Sequence, residues 1–385
     1  MIANLFLPAH LKIGAGARHD IPSVLKQLNL SKPFLVSDPF MKSCGYLEEL
    51  SQTLVRADIS FGVFSDCVPD PTTDSVNEAL AGWQQGNYDC IIALGGGSSI
   101  DTAKALSVLA RHGGAMRDYK APNPVPAGFP LIAIPTTAGT GSEATRATVI
   151  TDTESQEKML CMGFGFLPVA ALVDFELTLS MPYRLTADTA LDSLCHGMEA
   201  YVSRKANPFV DPIALSCISS IAANVGIACA EPHNRVAREA LMLAATQGGI
   251  AFSNSSVTLI HGMSRPIGAF FHVPHGMSNA MLMCEITRYS IPGATSRYAD
   301  CARAIGVAAT AERDDKAAYR LLDRLIEICD QLDVPSPRQY GIDRDQYQQL
   351  IPTMAAQALA SGSPNNNPVI PDQRAIEQIY ETVYS

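Results

Sequence analysis

The sequence predicts an α/β N-terminal domain, residues 1–181, followed by an all-α C-terminal domain, residues 182–385. Three observations carry that prediction. The chain has 385 residues, and hydrophobic cores stop growing and split at ~250–300 residues. Up to about residue 175, short β-rich apolar runs alternate with helical patterns, as parallel strands joined by crossover helices do. From about Pro182 the strand signals stop and helical periodicity takes over.

In chain order the strand candidates are "PFLVSD" (33–38), "ISFGVF" (59–64), "DCIIALGGG" (89–97), "FPLIAIPTT" (129–137) and "VAALVD" (169–174). Several end in Asp, Gly or Thr, at the strand ends where open α/β sheets hold ligands. Helical patterns follow in "TADTALDSLCHGMEAYVS", "DPIALSCISSIAANVGIA", "RVAREALMLAATQGGIAF" and "AAYRLLDRLIEICDQL". Pro182 serves either as a first-turn residue or as a breaker between the halves. "SGSPNNNPVIPD" (361–372) reads as a polar loop before a last helix.

Hydrophobic residues make up 47% of the chain and charged residues 17%, the composition of a well-buried globular protein. A net charge of −10 without any Lys/Arg run argues against nucleic acid and anionic membrane surfaces as partners. The segment "MIANLFLPAHLKIG" lacks the pattern of an export signal, and no uninterrupted apolar run reaches the ~18 residues of a spanning helix. A soluble, cytoplasmic protein is expected. The 10 cysteines, none in a CxxC pair, read as buried reduced thiols.

"LGGGSSIDTAKAL" follows an apolar strand and opens a helix. Gly95, Gly96 and Gly97 let backbone N–H groups approach an anion, and the first turn at Ser98 directs unpaired donors and the positive dipole end to the same place. A diphosphate fits there; a tight turn without a ligand is the plain alternative. "PTTAGTGSEAT" (135–145) ends another strand and adds hydroxyls at Thr136, Thr137, Thr140 and Ser142. Two such loops on neighbouring strands form one nucleotide crevice. Asp38 precedes the glycines, whereas the usual acid follows them by ~20 residues. On a strand beside the cradle it accepts hydrogen bonds from ribose hydroxyls and repels a 2′-phosphate, favouring NAD over NADP; the alternative is a turn or cap.

Asp192 and His196 are spaced i, i+4, so both leave one helical face about a turn apart. Alone the pair also suits an exposed intrahelical contact. His261 and His275 lie in apolar sequence, where an idle imidazole is costly to desolvate, and three of the chain's 8 histidines fall between positions 261 and 275. Glycines at 262 and 276 permit close approach of other groups. A carboxylate with imidazoles suits Zn²⁺, Fe²⁺, Co²⁺ or Mn²⁺. Cys195 is expected on another face of the helix.

Together "VPDPT" (68–72), "ALGGGSSIDTAK" (93–104), "IPTTAGTGSE" (134–143), "ALDSLCHGMEAY" (190–201) and "HGMSRPIGAFFHVPHG" (261–276) resemble the iron-dependent, or group III, alcohol dehydrogenases, a family that includes lactaldehyde reductases and 1,3-propanediol dehydrogenases. The resemblance spans essentially the whole chain. It implies the dehydroquinate synthase-like fold, with a nucleotide-binding α/β domain and a helical, metal-binding and catalytic one. It implies Asp192, His196, His261 and His275 as ligands of one divalent metal, Fe²⁺ first and Zn²⁺ or another as alternatives. Asp38, Asp70, Gly96, Gly97, Thr136, Thr137 and Lys158 are the implied cofactor contacts. The implied reaction is NAD(H)-dependent hydride transfer between nicotinamide C4 and an alcohol or carbonyl polarised by the metal, in a homodimer or higher homo-oligomer.

One departure concerns Arg265, where several relatives carry a His considered for proton handling. His272 is then the remaining relay candidate, or else a packed or outer histidine. Arg265 itself pairs with a substrate anion, giving a hydroxy-acid or semialdehyde dehydrogenase, or forms a salt bridge to a structural acid. A lyase similar to dehydroquinate synthase is another alternative, although it calls for several Lys/Arg that the motifs do not supply, and a non-catalytic nucleotide-binding or ligand-sensing relative is a third, against which the four intact ligand positions count.

Overall fold

A computed structural model of the chain describes residues 3–155 and 157–385. The chain divides between Ser180 and Met181 into two compact units.

In the first unit six short parallel strands form one sheet. They are β1 (His10–Ile13), β2 (Pro33–Val36), β3 (Gly62–Phe64), β4 (Cys90–Gly95), β5 (Leu131–Pro135) and, after a hairpin of β6 (Ala147–Asp152) and β7 (Glu157–Met162), β8 (Ala170–Val173). The sheet order is β1-β8-β5-β4-β2-β3, so β4 lies between β2 and β5. The helices are α1 (Ile21–Gln27), α2 (Pro39–Ser43), α3 (Tyr46–Arg56), α4 (Thr73–Trp83) and α5 (Gly97–His112).

Strand β4 shows why its apolar run is continuous. Cys90, Ile92 and Leu94 enter one core with Leu25 of α1 and Leu50 of α3. Ile91 and Ala93 enter another with Ala79 of α4 and Ile100 of α5. Both faces are covered, so alternation disappears, as in parallel sheets generally.

The hairpin β6–β7 was not expected. It is antiparallel, pairing Ala147 with Met162 through Asp152 with Glu157, and its inward residues on β6 are Thr148, Ile150 and Asp152. It is tied to α5, where Asp101 accepts from Val149 N at 2.9 Å and its carbonyl from Thr148 Oγ1 at 3.1 Å.

The second unit is helical, through α6 (Tyr183–Val202), α7 (Asp211–Ala230), α8 (Arg235–Ser253), α9 (Leu259–Phe271), α10 (His275–Ser290), α11 (Thr295–Ala304), α12 (Asp314–Gln331), α13 (Pro337–Tyr340), α14 (Arg344–Ala360) and α15 (Gln373–Val383). Pro182 is the N-cap of α6. Helix α7 is long and apolar enough to cross a membrane by length and composition. It packs on α6 and α8 with Ala214, Cys217, Ile218, Ile221 and Val225 buried, as a core helix of a globular unit does.

All ten cysteines are free thiols, and among them only Cys44 is exposed and Cys284 half-buried. Burial pushes Cys67, Cys161 and Cys217 up to about 12, which leaves them protonated and inert at neutral pH.

Candidate metal and nucleotide sites

The helical unit brings together side chains from three helices. Asp192 and His196 leave α6 one turn apart, His261 comes from the first turn of α9, and His275 is the first residue of α10. Asp192 Oδ1 lies 3.3 Å from His261 Nε2, 3.6 Å from His275 Nε2 and 3.7 Å from His196 Nε2. Ligand atoms ~2.1 Å from one cation at tetrahedral angles stand ~3.4 Å apart, so these carboxylate-to-imidazole spacings suit a shared ion. One atom each from Asp192, His261 and His275 lies within 4.8 Å of the other two. His196 stands beside this trio, its ring stacked on Phe252 and on His261 with centroids 4.4 Å and 4.6 Å away.

Asn279, fully buried one turn after His275, gives a second test of convergence. Its Nδ2 is 2.7 Å from Asp192 Oδ1, 3.1 Å from His261 Nε2 and 3.3 Å from His275 Nε2. One side-chain nitrogen thus lies within hydrogen-bond distance of all three atoms, so they face one point, and a divalent cation has the same requirement. The residues present therefore fit a metal ion, and the mixed oxygen and nitrogen set suits Fe²⁺ or Zn²⁺.

Burial acts against every charge here. It brings His196 down to about 4 despite the pull of Asp192, leaving a neutral ring. On His261 burial is overcome by Glu199 and Asp192, and the ring is raised to about 9. On Asp192 burial is likewise outweighed, by His196, His275 and His261, so its carboxyl stays below the usual carboxylate range.

Glu199 was missed in the sequence. It lies one stripe further along α6, at i, i+4, i+7 with Asp192 and His196, and that spacing was the available signal. Its Oε2 meets His261 Nδ1, and its Oε1 accepts from Thr258 Oγ1 and Ile260 N, each at 2.8 Å. One carboxylate thus fixes the His261 ring and accepts from the first turn of α9. With its Nδ1–H directed to Glu199, His261 turns Nε2 toward Asp192, the side from which a metal ion would displace the ring's second proton. Glu199→Gln is expected to weaken divalent-metal affinity about 10- to 100-fold while the helices stay folded. Chelator competition with Co²⁺ measures it, and an unchanged dissociation constant would remove Glu199 from the metal's support.

Close packing sets the height of His275. A Cβ on Gly276 would lie 2.2 Å from the Asp188 carbonyl oxygen, so α10 starts directly against α6. Cys195 is buried, and burial raises its thiol far above the ordinary value. His272 is exposed and ends α9 in the left-handed region at φ 54°. It takes no part in the hydrogen bonds that join Asp192, His261, His275 and Asn279. Arg265, one turn after His261, reaches among the described residues only Ser363 Oγ, at 3.5 Å. Among the described residues no acid stands within ion-pair distance of Arg265, so the salt-bridge alternative finds no partner there.

In the α/β unit, β4 ends at Gly95 with φ 154° and α5 begins at Gly97. A Cβ on Gly95 would lie 2.4 Å from Ser99 Oγ and 2.9 Å from Asp38 Oδ2. On Gly97 it would lie 2.8 Å from Thr140 Cγ2, and on Gly96 3.2 Å from Thr137 Cγ2. Only glycine leaves room for both loops and Asp38 to crowd this turn. Thr136 N donates to Gly95 O at 3.0 Å, and Ser98 stands in the first turn of α5. Asp38 Oδ1 caps α2 through Met41 N at 3.0 Å, while Oδ2 accepts from Ser99 Oγ at 3.0 Å. It is thus a cap and a neighbour of the cradle at once. Asp70 and Lys158 meet each other in an ion pair of 3.1 Å; among the described residues no hydrogen bond or ion pair joins either to the Gly95–Thr140 group.

The sequence reading also missed what holds the second loop in place. Lys104, fully buried on α5, donates to Ser142 Oγ at 2.8 Å, Thr145 Oγ1 at 2.9 Å and Ala147 O at 2.8 Å. Asp101 accepts from Ser142 Oγ at 2.8 Å.

Comparison with known proteins gives the same parts in the same order. Residues 8–175 match the family model described as iron-containing alcohol dehydrogenase, and residues 186–384 match the C-terminal model of the Fe-containing alcohol dehydrogenase family. The chain is 33% identical to the NAD-dependent methanol dehydrogenase of Bacillus methanolicus, over 98% of this chain and 99% of that protein. It is 30% identical to the lactaldehyde reductase of Escherichia coli, over 96% and 97%. A crystal structure of 1,3-propanediol oxidoreductase superposes with a TM-score of 0.95 at 29% identity, covering 100% of both chains. The two family models together leave few residues unmatched, and the chain belongs to the iron-containing alcohol dehydrogenase family.

Proposed function

We propose that the chain interconverts small alcohols and their aldehydes with NAD(H), with a divalent metal, Fe²⁺ in first place, held by Asp192, His196, His261 and His275. The observation that carries this reading is the meeting of the Asp192 carboxylate and imidazole nitrogens at spacings of 3.3, 3.6 and 3.7 Å. When bound, the metal supplies Lewis acidity that lowers the pKa of an alcohol, and nicotinamide supplies the hydride acceptor.

The chain's own residues do the rest. Asp192 supplies negative charge toward the cation, and Glu199 keeps His261 turned with Nε2 inward. Gly95, Gly96, Gly97 and Ser98 offer the N–H groups of a helix start to a diphosphate, with the hydroxyls of Thr136, Thr137 and Thr140 from the second loop. Asp38 offers carboxylate oxygen to ribose hydroxyls, and its charge disfavours a 2′-phosphate, so NAD is preferred over NADP. Asp70 and Lys158 complete the proposed cofactor contacts, and His272 exchanges protons with solvent. A cytoplasmic location and a homo-oligomer belong to the same proposal. The oligomer is supported by the edge strand β1, whose Leu11 and Ile13 are exposed.

Elemental analysis, light scattering and a coupled assay on one preparation test it. The expected results are about one divalent ion per chain, a mass above the monomer, and net NADH formation from simple alcohols at least tenfold faster than NADPH formation. Transient use of NAD without net NADH would instead favour a lyase, and absence of bound metal after reconstitution would end the proposal.

A further inference from the structure

We infer that Arg265 is the anchor of an anion subsite, and that the preferred substrates are short ω-hydroxy carboxylates and the matching semialdehydes. This rests on the dehydrogenase reading above and specifies its substrate class.

A guanidinium carries five N–H donors in a fixed fork. Several partly or fully buried guanidiniums of this chain find oxygen partners. Arg18 meets Asp174, Glu49 and Glu176; Arg297 meets Asp211 and the Tyr201 carbonyl. Even Arg238, buried without an acid, donates to Pro232 O, Thr186 Oγ1 and Met181 O. Arg265 is half-buried and has one long contact, Nη1 to Ser363 Oγ at 3.5 Å. Glu199 acts on it only at a distance, and burial prevails, lowering its pKa from the ordinary value. Among the described residues most of its donors have no protein partner, and a partly dehydrated guanidinium with donors free binds an arriving carboxylate through charge-assisted hydrogen bonds.

Its surroundings are fixed rather than soft. A Cβ on Gly262 would lie 3.0 Å from Pro364, so the Ser363–Pro364 turn rests on the start of α9. Asn366 Nδ2 donates to Ser256 Oγ at 2.7 Å and Asn367 Nδ2 to Ser290 Oγ at 2.9 Å, fastening the turn from its far side. The polar segment noted in the sequence therefore forms a wall beside Arg265. Arg265 and His261 share one face of α9 and are offset by a little over one turn, ~6 Å along the axis. That offset suits a short molecule with its reacting carbon at one end and a carboxylate at the other.

The reaction balances without any further reagent. The terminal CH₂OH group loses a hydride to NAD⁺ and a proton to solvent, giving the semialdehyde and NADH, while the carboxylate is unchanged.

The test compares 4-hydroxybutanoate with the near-isosteric 1-pentanol, using metal-loaded wild-type enzyme, Arg265→Lys and Arg265→Met. The expected wild-type kcat/KM ratio favours the hydroxy acid by about 10- to 100-fold. Arg265→Met should bring the ratio near unity through KM, Arg265→Lys should retain part of it, and metal content should not change. A wild-type ratio near one, or a ratio unaltered in Arg265→Met, overturns the subsite and leaves the dehydrogenase reading standing. If the wild type oxidises neither compound, calorimetry with 4-hydroxybutanoate decides: binding that weakens tenfold or more in Arg265→Met supports the subsite, and absence of binding overturns it.

Discussion

Alanine at His261 is expected to remove both metal and turnover: bound divalent ion falls below about a tenth per chain, and kcat/KM drops by roughly a thousandfold or more. Its contacts tie much of the group together. His261 Nε2 is 3.3 Å from Asp192 Oδ1 and 3.1 Å from Asn279 Nδ2, its ring stacks on His196, and its Nδ1 meets Glu199. Truncation deletes a proposed ligand and leaves two buried carboxylates, Asp192 and Glu199, without their shared imidazole. Removing one partner from a buried charged pair costs about 3–5 kcal/mol, so thermal stability of the metal-free protein should fall as well. Metal analysis after dialysis, steady-state rates and a melting curve measure the three effects. Retained metal with wild-type rate would show that the ion, if any, sits elsewhere.

The second large effect is expected at Lys104, far in sequence from any proposed ligand. Burial brings this lysine down to about 8 although Asp101 and Glu143 pull the other way. Its three hydrogen bonds fasten the loop after β5 to the helix that opens the glycine cradle. Lys104→Met leaves the buried Asp101 and Glu143 carboxylates without their cation and frees Ser142, Thr145 and Ala147. The α/β unit should lose about 3–5 kcal/mol, read in denaturant as an earlier first transition. NADH affinity should fall with it, because the Thr137 and Thr140 hydroxyls lose their fixed distance from Gly96 and Gly97. Metal content, set by the helical unit, should hold. An unchanged transition and unchanged NADH titration would mean that the loop keeps its position without the lysine.

What could be read from the sequence follows the same physics. "DCIIALGGG" was legible because a parallel strand covered on both faces carries apolar residues at every position, and the glycines mark where it must turn. Asp192 and His196 were legible because helical spacing places them together. The β6–β7 hairpin was not, since β6 turns Thr148 and Asp152 inward and leaves Ala147, Val149 and Thr151 half-exposed; its alternation runs against the usual hydrophobic sign. Thr148 is satisfied by the Asp101 carbonyl and Asp152 by Arg117, partners remote enough in sequence to leave no local trace, beside a local contact from Ser155. Glu199 and Lys104 escaped for a related reason. A charged residue in a helix reads as solvent-facing, and only tertiary partners make its burial tolerable.

The Asp192 and His261 side chains are almost sealed, whereas His275 is 44% exposed. A cation lodged among them would, within the helical unit, meet solvent most readily beside His275. A competing complexing agent would then displace the His275 imidazole before either of the two sealed side chains.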